Sequence, residues 1–139
     1  MAIKRFREKQ VKDLLKPVSE YSEYEAVERS KIEDVASQVQ QNRYHMVTIV
    51  DQQKIPVGLV TQTDLIDKMI TDKNFDTSKE VENVMNKDFI RITESMTVDA
   101  ALALMNSMKV NKLVVLASDG SFKGILHKSD VARAAQELL

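Results

Sequence analysis

Two acidic residues in this chain stand in matching surroundings. Asp64 ends the run Gly58-Leu-Val-Thr-Gln-Thr-Asp64, and Asp130 ends Gly124-Ile-Leu-His-Lys-Ser-Asp130. Each is read as lying in the first turn of a helix that follows an apolar strand. A carboxylate accepts two hydrogen bonds at once, which suits the vicinal hydroxyls of a ribose. The backbone amides at a helix start are donors without intrahelical partners, and they favour a phosphate. Thr61, Thr63 and Ser129 add hydroxyl donors beside them. Apolar strand residues nearby can take a flat purine ring, so the set has the form of a small-molecule site with a few polar groups on an apolar wall.

The same residues have a purely structural reading. Thr61 with Asp64 three residues on is a capping box, which stabilises a helix with no ligand. Asp130 fits that reading less well, because His127 is a poor N-cap, but its charge complements the helix dipole. His45 and His127 are the only histidines. They fall at non-equivalent positions, and a titrating surface imidazole is the simpler reading than a metal ligand. No nucleophile elbow, P-loop or cysteine chemistry is present, so no enzyme is expected and no catalytic residue or metal ligand is assigned.

The elements that would position these groups come from a duplication. The chain has 139 residues, 43% hydrophobic and 29% charged, with a net charge of -1. That balance describes a globular chain and no overall footprint for nucleic acid. The absence of cysteine fits a reducing compartment. No apolar run is long enough to cross a bilayer, and the basic start Met1 to Arg7 is followed by no apolar stretch. A cytoplasmic location without membrane association is therefore expected.

Gly58 to Asp64 overlays Gly124 to Asp130 at an offset of 66 residues, and that offset holds upstream. Ile32, Val35 and Val39 fall on Val98, Ala101 and Met105, while Val47, Ile49 and Val50 fall on Leu113, Val115 and Leu116. The openers Val11-Lys-Asp-Leu-Leu15 and Val81-Glu-Asn-Val-Met85 match at an offset of 70. Ile32, Val35, Ala36 and Val39 mark one helix face, as do Val98, Ala101, Leu102 and Met105. Ser30 with Glu33 reads as a capping box for the first helix, Thr97 as N-cap of the second, and Thr77 with Glu80 as a cap for the short opener. Strands are expected at Met46–Val50, Ile55–Val60, Leu113–Leu116 and Phe122–Leu126, and closing helices at Gln62–Ile70 and Lys128–Leu138. Each copy is thus β-α-β-β-α, in an α/β (α+β) fold. The expected organisation is a basic tail over 1–10, a first repeat over 11–76 and a second over 77–139, with the sheets packed in pseudo-two-fold fashion around clefts.

The pattern helix, apolar strand, turn, Gly-hydrophobic-hydrophobic-[Ser/Thr]-x-x-Asp, helix resembles the cystathionine-β-synthase (CBS) domain. Two copies in tandem, from about Val11 to Ala135, resemble the Bateman module of stand-alone CBS-domain proteins. The resemblance implies regulatory binding of AMP, ADP, ATP or another adenosyl ligand in the cleft between the repeats, with no cofactor required. Asp64 and Asp130 would hold ribose hydroxyls, and Thr61, Thr63 and Ser129 would lie near ribose and phosphate. Met46, Val47, Leu113 and Val114 would flank the base. At the strand starts Lys112 is implied as a phosphate ligand, whereas Met46 cannot serve and His45 is a weaker substitute. His127 departs from the motif by replacing its hydroxyl residue. The resemblance also implies a homodimer formed through helices, and a protein partner of unknown identity.

A ligand-free homodimeric interaction scaffold is the alternative function, its motifs acting only as caps. Five of the seven methionines, Met69, Met85, Met96, Met105 and Met108, suit core or dimer packing. The basic head Lys4-Arg-Phe-Arg7 with Lys9 reads as a solvated, partly disordered terminus, nucleic-acid contact being the weaker reading. The acidic stretch Glu20 to Glu28, with Tyr21 and Tyr24, is either a strand edge or a partner surface.

Overall fold

The computed structural model describes residues 2–137. The elements in chain order are α1 (Ala2–Glu8), β1 (Glu25–Val27), α2 (Ile32–Gln41), β2 (Met46–Val50), β3 (Pro56–Thr61), α3 (Gln62–Thr71), β4 (Arg91–Thr93), α4 (Val98–Met108), β5 (Lys112–Leu116), β6 (Phe122–His127) and α5 (Lys128–Gln136). Short 3-10 turns lie at Val11–Leu14, Val18–Tyr24 and Val81–Asn83. The expected end of the last helix at Leu138 lies outside the described residues, as does Met1 of the basic head. The β-α-β-β-α order is thus present twice, as a mixed α+β fold with two three-stranded sheets.

The two sheets repeat each other rung by rung. In each, the first strand runs parallel to the central one and the third antiparallel to it. Met46 opposes Thr61, Val47 opposes Val60, and Ile49 opposes Gly58. The second sheet pairs Lys112 with His127, Leu113 with Leu126, and Val115 with Gly124. Even the irregularity recurs, between Ile49 and Val50 and between Val115 and Leu116. Because side chains alternate across a strand, a slip of one residue would turn every core side chain outward, so the apolar pattern holds this register.

The chain folds into two compact units, one spanning Ser19–Phe89 and the other joining the residues up to Val18 with those from Ile90 onward. In the first, Ile32, Val35 and Val39 of α2 pack with Val47, Ile49, Val60 and Leu65. In the second, Val98, Ala101 and Met105 of α4 pack with Leu113, Val115, Leu126 and Val131. Each large aliphatic side chain so buried stabilises its unit by about 1.5–3 kcal/mol. The two openers are exchanged. Val11 is fully buried in the core built on α4, and its amide donates to the Met96 carbonyl at 2.8 Å. Val81 is fully buried in the core built on α2, and its amide donates to the Ser30 carbonyl at 2.7 Å.

Several expectations are corrected. The basic head is a helix, not a solvated tail: Phe6 joins the core with α4, and Arg7 forms a two-point ion pair with Asp99 at 3.1 and 3.2 Å. A single aromatic among charges gives no periodicity, which hid the helix. Ser30 does not cap α2. Lys31 is the N-cap position and lends no side-chain bond, because the first amides, of Ile32 and Glu33, donate to the carbonyls of Lys79 and Thr77 at 2.9 Å each. Thr77 does not cap the Val81 turn, whose N-cap position is Glu80. Of the acidic stretch, Glu25–Val27 is the edge strand β1, as one of its two readings has it, while Tyr21 and Tyr24 are buried in the 3-10 turn before it, with Tyr24 stacked on Tyr44 at 5.4 Å. Met105 is core, while Met69 and Met108 are exposed.

Gly58 offers a test of this packing. Met85 lies directly over it, and a Cβ at position 58 would come within 2.9 Å of the Met85 Cβ and nearer still to its Cγ and Sδ. Met85 has little room to retreat, because its neighbour Asn86 exchanges backbone hydrogen bonds with Leu59 at 2.8 and 2.9 Å. Gly58→Ala is expected to cost about 1–3 kcal/mol through overpacking. Urea unfolding followed by circular dichroism reads this as a lower midpoint.

Candidate functional site

In the first repeat, β3 runs directly into α3, so Thr61 is both the last strand residue and the helix N-cap. Its Oγ1 accepts from the Asp64 amide at 3.2 Å, and Asp64 Oδ2 accepts from the Thr61 amide at 3.3 Å. The expected capping box is therefore present. It occupies one carboxylate oxygen through a long bond and leaves Oδ1 outside the box. Met46 stands opposite Thr61 across the hairpin and is buried. Thr63 is exposed on the first helical turn.

The residues before β2 are tightly held. His45 has a left-handed backbone, φ 52°, and its Nδ1–H donates to the Val39 carbonyl at 3.0 Å. Asn42, buried at the end of α2, brackets Met46: its Nδ2 donates to the Met46 carbonyl at 2.7 Å, and its Oδ1 accepts from the Met46 amide at 3.3 Å. Sequence reasoning missed Asn42. The available signal was an asparagine just past a helix, where its amide can serve two backbone groups. The nearby Arg43 guanidinium stacks on the Tyr44 ring, 5.5 Å from its centroid.

The second repeat repeats the plan with different chemistry. His127, expected to cap poorly, is the N-cap of α5. Its Nδ1 accepts from the Ser129 amide at 3.0 Å and lies 2.7 Å from Ser129 Oγ. Asp130 Oδ2 accepts from the His127 amide at 3.3 Å, and Oδ1 is 3.6 Å from Arg133 Nη1. An imidazole nitrogen thus takes the place of a hydroxyl, and the box forms after all. A neutral ring that accepts at Nδ1 carries its proton on Nε2. Lys112 is directly across the hairpin from His127 and half-buried, and burial pushes its ammonium below the ordinary lysine range.

Two further expectations change. The helix-start amides are largely committed: the Gln62 amide donates to the His45 carbonyl at 3.1 Å, and the Lys128 amide to the Asn111 carbonyl at 2.8 Å. With the Asp64 and Ser129 amides serving the caps, little backbone donor capacity is left for a phosphate. Val47 and Leu113 point into their own repeats' cores, on the strand face opposite Met46 and Lys112. Val114 shares the face of Lys112 and is also buried. Among the described residues no three His, Asp or Glu side chains gather where they could hold a metal ion.

Two βαββα units in tandem, each running a hairpin into a helix that starts on a box-forming aspartate, define a paired-repeat architecture. The CBS domain sequence profile matches residues 26–71 and 81–137, and the chain belongs to that family. A CBS domain-containing protein from Bacillus anthracis has the same fold, with a TM-score of 0.81 at 17% identity over 99% of both chains. CBSX2 of Arabidopsis thaliana, solved in complex with AMP, aligns with a TM-score of 0.76 at 22% identity over 93% of this chain and 97% of that one. Among curated proteins, a Methanopyrus kandleri protein is 23% identical over 106 residues, 76% of this chain and 54% of its own length. The chain spans about half the length of the first curated relatives it matches.

The caps make a direct prediction. Thr61→Ala and His127→Ala should each lower stability by about 1 kcal/mol, while Thr61→Ser and His127→Thr should retain most of it. Equilibrium urea unfolding measures all four. A silent His127→Ala would show that the imidazole contributes nothing to starting α5.

Proposed function

We propose that this chain is a regulatory module that binds an adenine nucleotide or related adenosyl ligand against the helix starts of its repeats. The observation that carries this reading is the state of the two aspartates. Asp64 commits Oδ2 to a capping bond of 3.3 Å, and a carboxylate has about four acceptor positions, so capping and ribose binding are compatible there, while Asp130 caps in the same way and also faces Arg133. The AMP held by the Arabidopsis relative supports the ligand class. Asp64 and Asp130 are the proposed ribose ligands, Thr61, Thr63 and Ser129 the neighbouring hydroxyls, and Met46 and Val114 the apolar wall. Regulation then requires only that the ligand bind one conformational state more tightly than another, for a partner to read. The role is regulatory rather than catalytic, and cytoplasmic.

A thermal-shift panel of AMP, ADP, ATP, cyclic di-AMP, S-adenosylmethionine and NADH tests the proposal. A ligand at about 100 times its Kd should stabilise the fold by about 2.7 kcal/mol. Asp64→Ala with Asp130→Ala should abolish the shift. No shift with any compound at millimolar concentration would overturn the reading.

One observation favours a homodimeric scaffold as the second reading. On α3, Ile66, Met69 and Ile70 are 49%, 62% and 77% exposed. Ile66 and Met69 line a groove of about 240 Å³ together with Ala36, Val39, Leu65 and Phe75. Bulky apolar groups beside an apolar groove on one face can bury each other across a two-fold axis. Light scattering should give twice the chain mass, falling to the monomer value in Met69→Glu/Ile70→Glu. A monomeric wild type would remove this reading and leave ligand binding untouched.

A further inference from the structure

The closing helices of the two repeats are started by side chains of which only one titrates. Thr61 Oγ1 accepts from the Asp64 amide at 3.2 Å, and a threonine hydroxyl keeps that role across the physiological pH range. In the second repeat the acceptor is His127 Nδ1, 3.0 Å from the Ser129 amide. An imidazole nitrogen accepts only while it carries no proton, and an ordinary ring changes charge near about pH 6.5.

The surroundings decide what protonation does here. Strand β6, which ends on His127, packs against β5 and α5. From β5, Lys112 stands directly across the rung, so a charged ring meets a like charge. From α5, Asp130 is the counter-charge. Its Oδ2 accepts from the His127 amide at 3.3 Å, and its Oδ1 faces Arg133 at 3.6 Å. Lys128 is turned to Asn106 Oδ1 at 2.8 Å. A cation at a helix N-terminus also opposes the helix dipole. A protonated Nδ1 can donate to Ser129 Oγ, 2.7 Å away, but the Ser129 amide then loses its acceptor on the ring.

We propose that His127 is a proton-sensitive latch on the start of α5, closed while the ring is neutral and released when it is protonated, with no counterpart in the first repeat. The folded turn uses the unprotonated ring, whereas the unfolded chain takes the proton without losing a cap. The stability supplied by this cap is therefore present above about pH 6.5 and is lost as pH falls through and below that value. Resting on the nucleotide-binding reading, acid then loosens the turn that carries Ser129 and Asp130 and leaves the cap at Thr61 and Asp64 closed.

The test compares urea unfolding of wild type and His127→Thr at about pH 7.5 and about pH 5. The other histidine, His45, donates to the Val39 carbonyl and is common to both proteins, so its titration cancels in the comparison. At the lower pH the ratio of the two unfolding constants should shift by about five-fold towards a less stable wild type, the worth of one helix cap. A ratio independent of pH would overturn the latch. A second measurement needs no variant. By NMR, the neutral His127 ring should carry its proton on Nε2, and the Ser129 amide should lose protection from exchange, relative to its intrinsic rate, as the ring titrates. A proton on Nδ1 at neutral pH, or an amide indifferent to the titration, would overturn the latch as well. Neither measurement involves a nucleotide, so the latch and the ligand reading fail separately.

Discussion

The amide of Gln62 donates to the carbonyl of His45, and the amide of Lys128 donates to the carbonyl of Asn111. Each of these bonds ties the first residue of a helix to the residue that precedes the central strand of its sheet. The hairpin register places those groups side by side, and the shared irregularity later in each hairpin keeps the ladders alike. Once this closure is made, the side chain at the end of the hairpin must cap the helix, and the aspartate three residues on must fold back towards the strand. The geometry of both candidate sites follows from that backbone constraint. Side-chain identity then decides only what each site can hold.

The exchange of openers binds distant stretches of sequence into each core. Val11 opens the first repeat but is buried beside α4, and Val81 opens the second but is buried beside α2. The carbonyls of Thr77 and Lys79 also complete the start of α2, and the carbonyl of Lys9 accepts from the first amide of α4 at 2.7 Å. A helix start left without partners costs free energy for each buried amide. Each repeat as cut from the linear sequence would therefore lack both a core valine and the groups that start its own helix. The offset is a constant 66 residues within the repeats and 70 between the openers.

Much of the fold was legible because it rests on side-chain period. Val35, Val39, Val98, Ala101 and Met105 are buried where spacing put them, and β2 has the bounds its β-branched run implied. What was not legible came from partners far away in sequence. Ser30 looked like a cap because sequence shows only neighbours, while the carbonyls that serve α2 lie more than forty residues on. Phe6 looked like part of a tail because its pocket is built by α4 and its neighbours. At the site, the aspartates and hydroxyls could be named from their motif. The commitment of the amides could not, since it depends on a strand pairing that brings His45 and Asn111 to the helix starts.

The replacement of Thr61 by His127 at the equivalent position is better understood as a change of chemistry than as damage to a motif. A hydroxyl and an imidazole nitrogen both accept from a backbone amide, so either can start a helix in this setting. They differ in what remains after capping. Threonine keeps a single small hydroxyl, already used by the Asp64 amide. Histidine keeps a ring whose second nitrogen donates, set across the rung from a lysine whose charge is disfavoured by burial. In both repeats the residue that ends the hairpin starts the helix, whichever acceptor it carries.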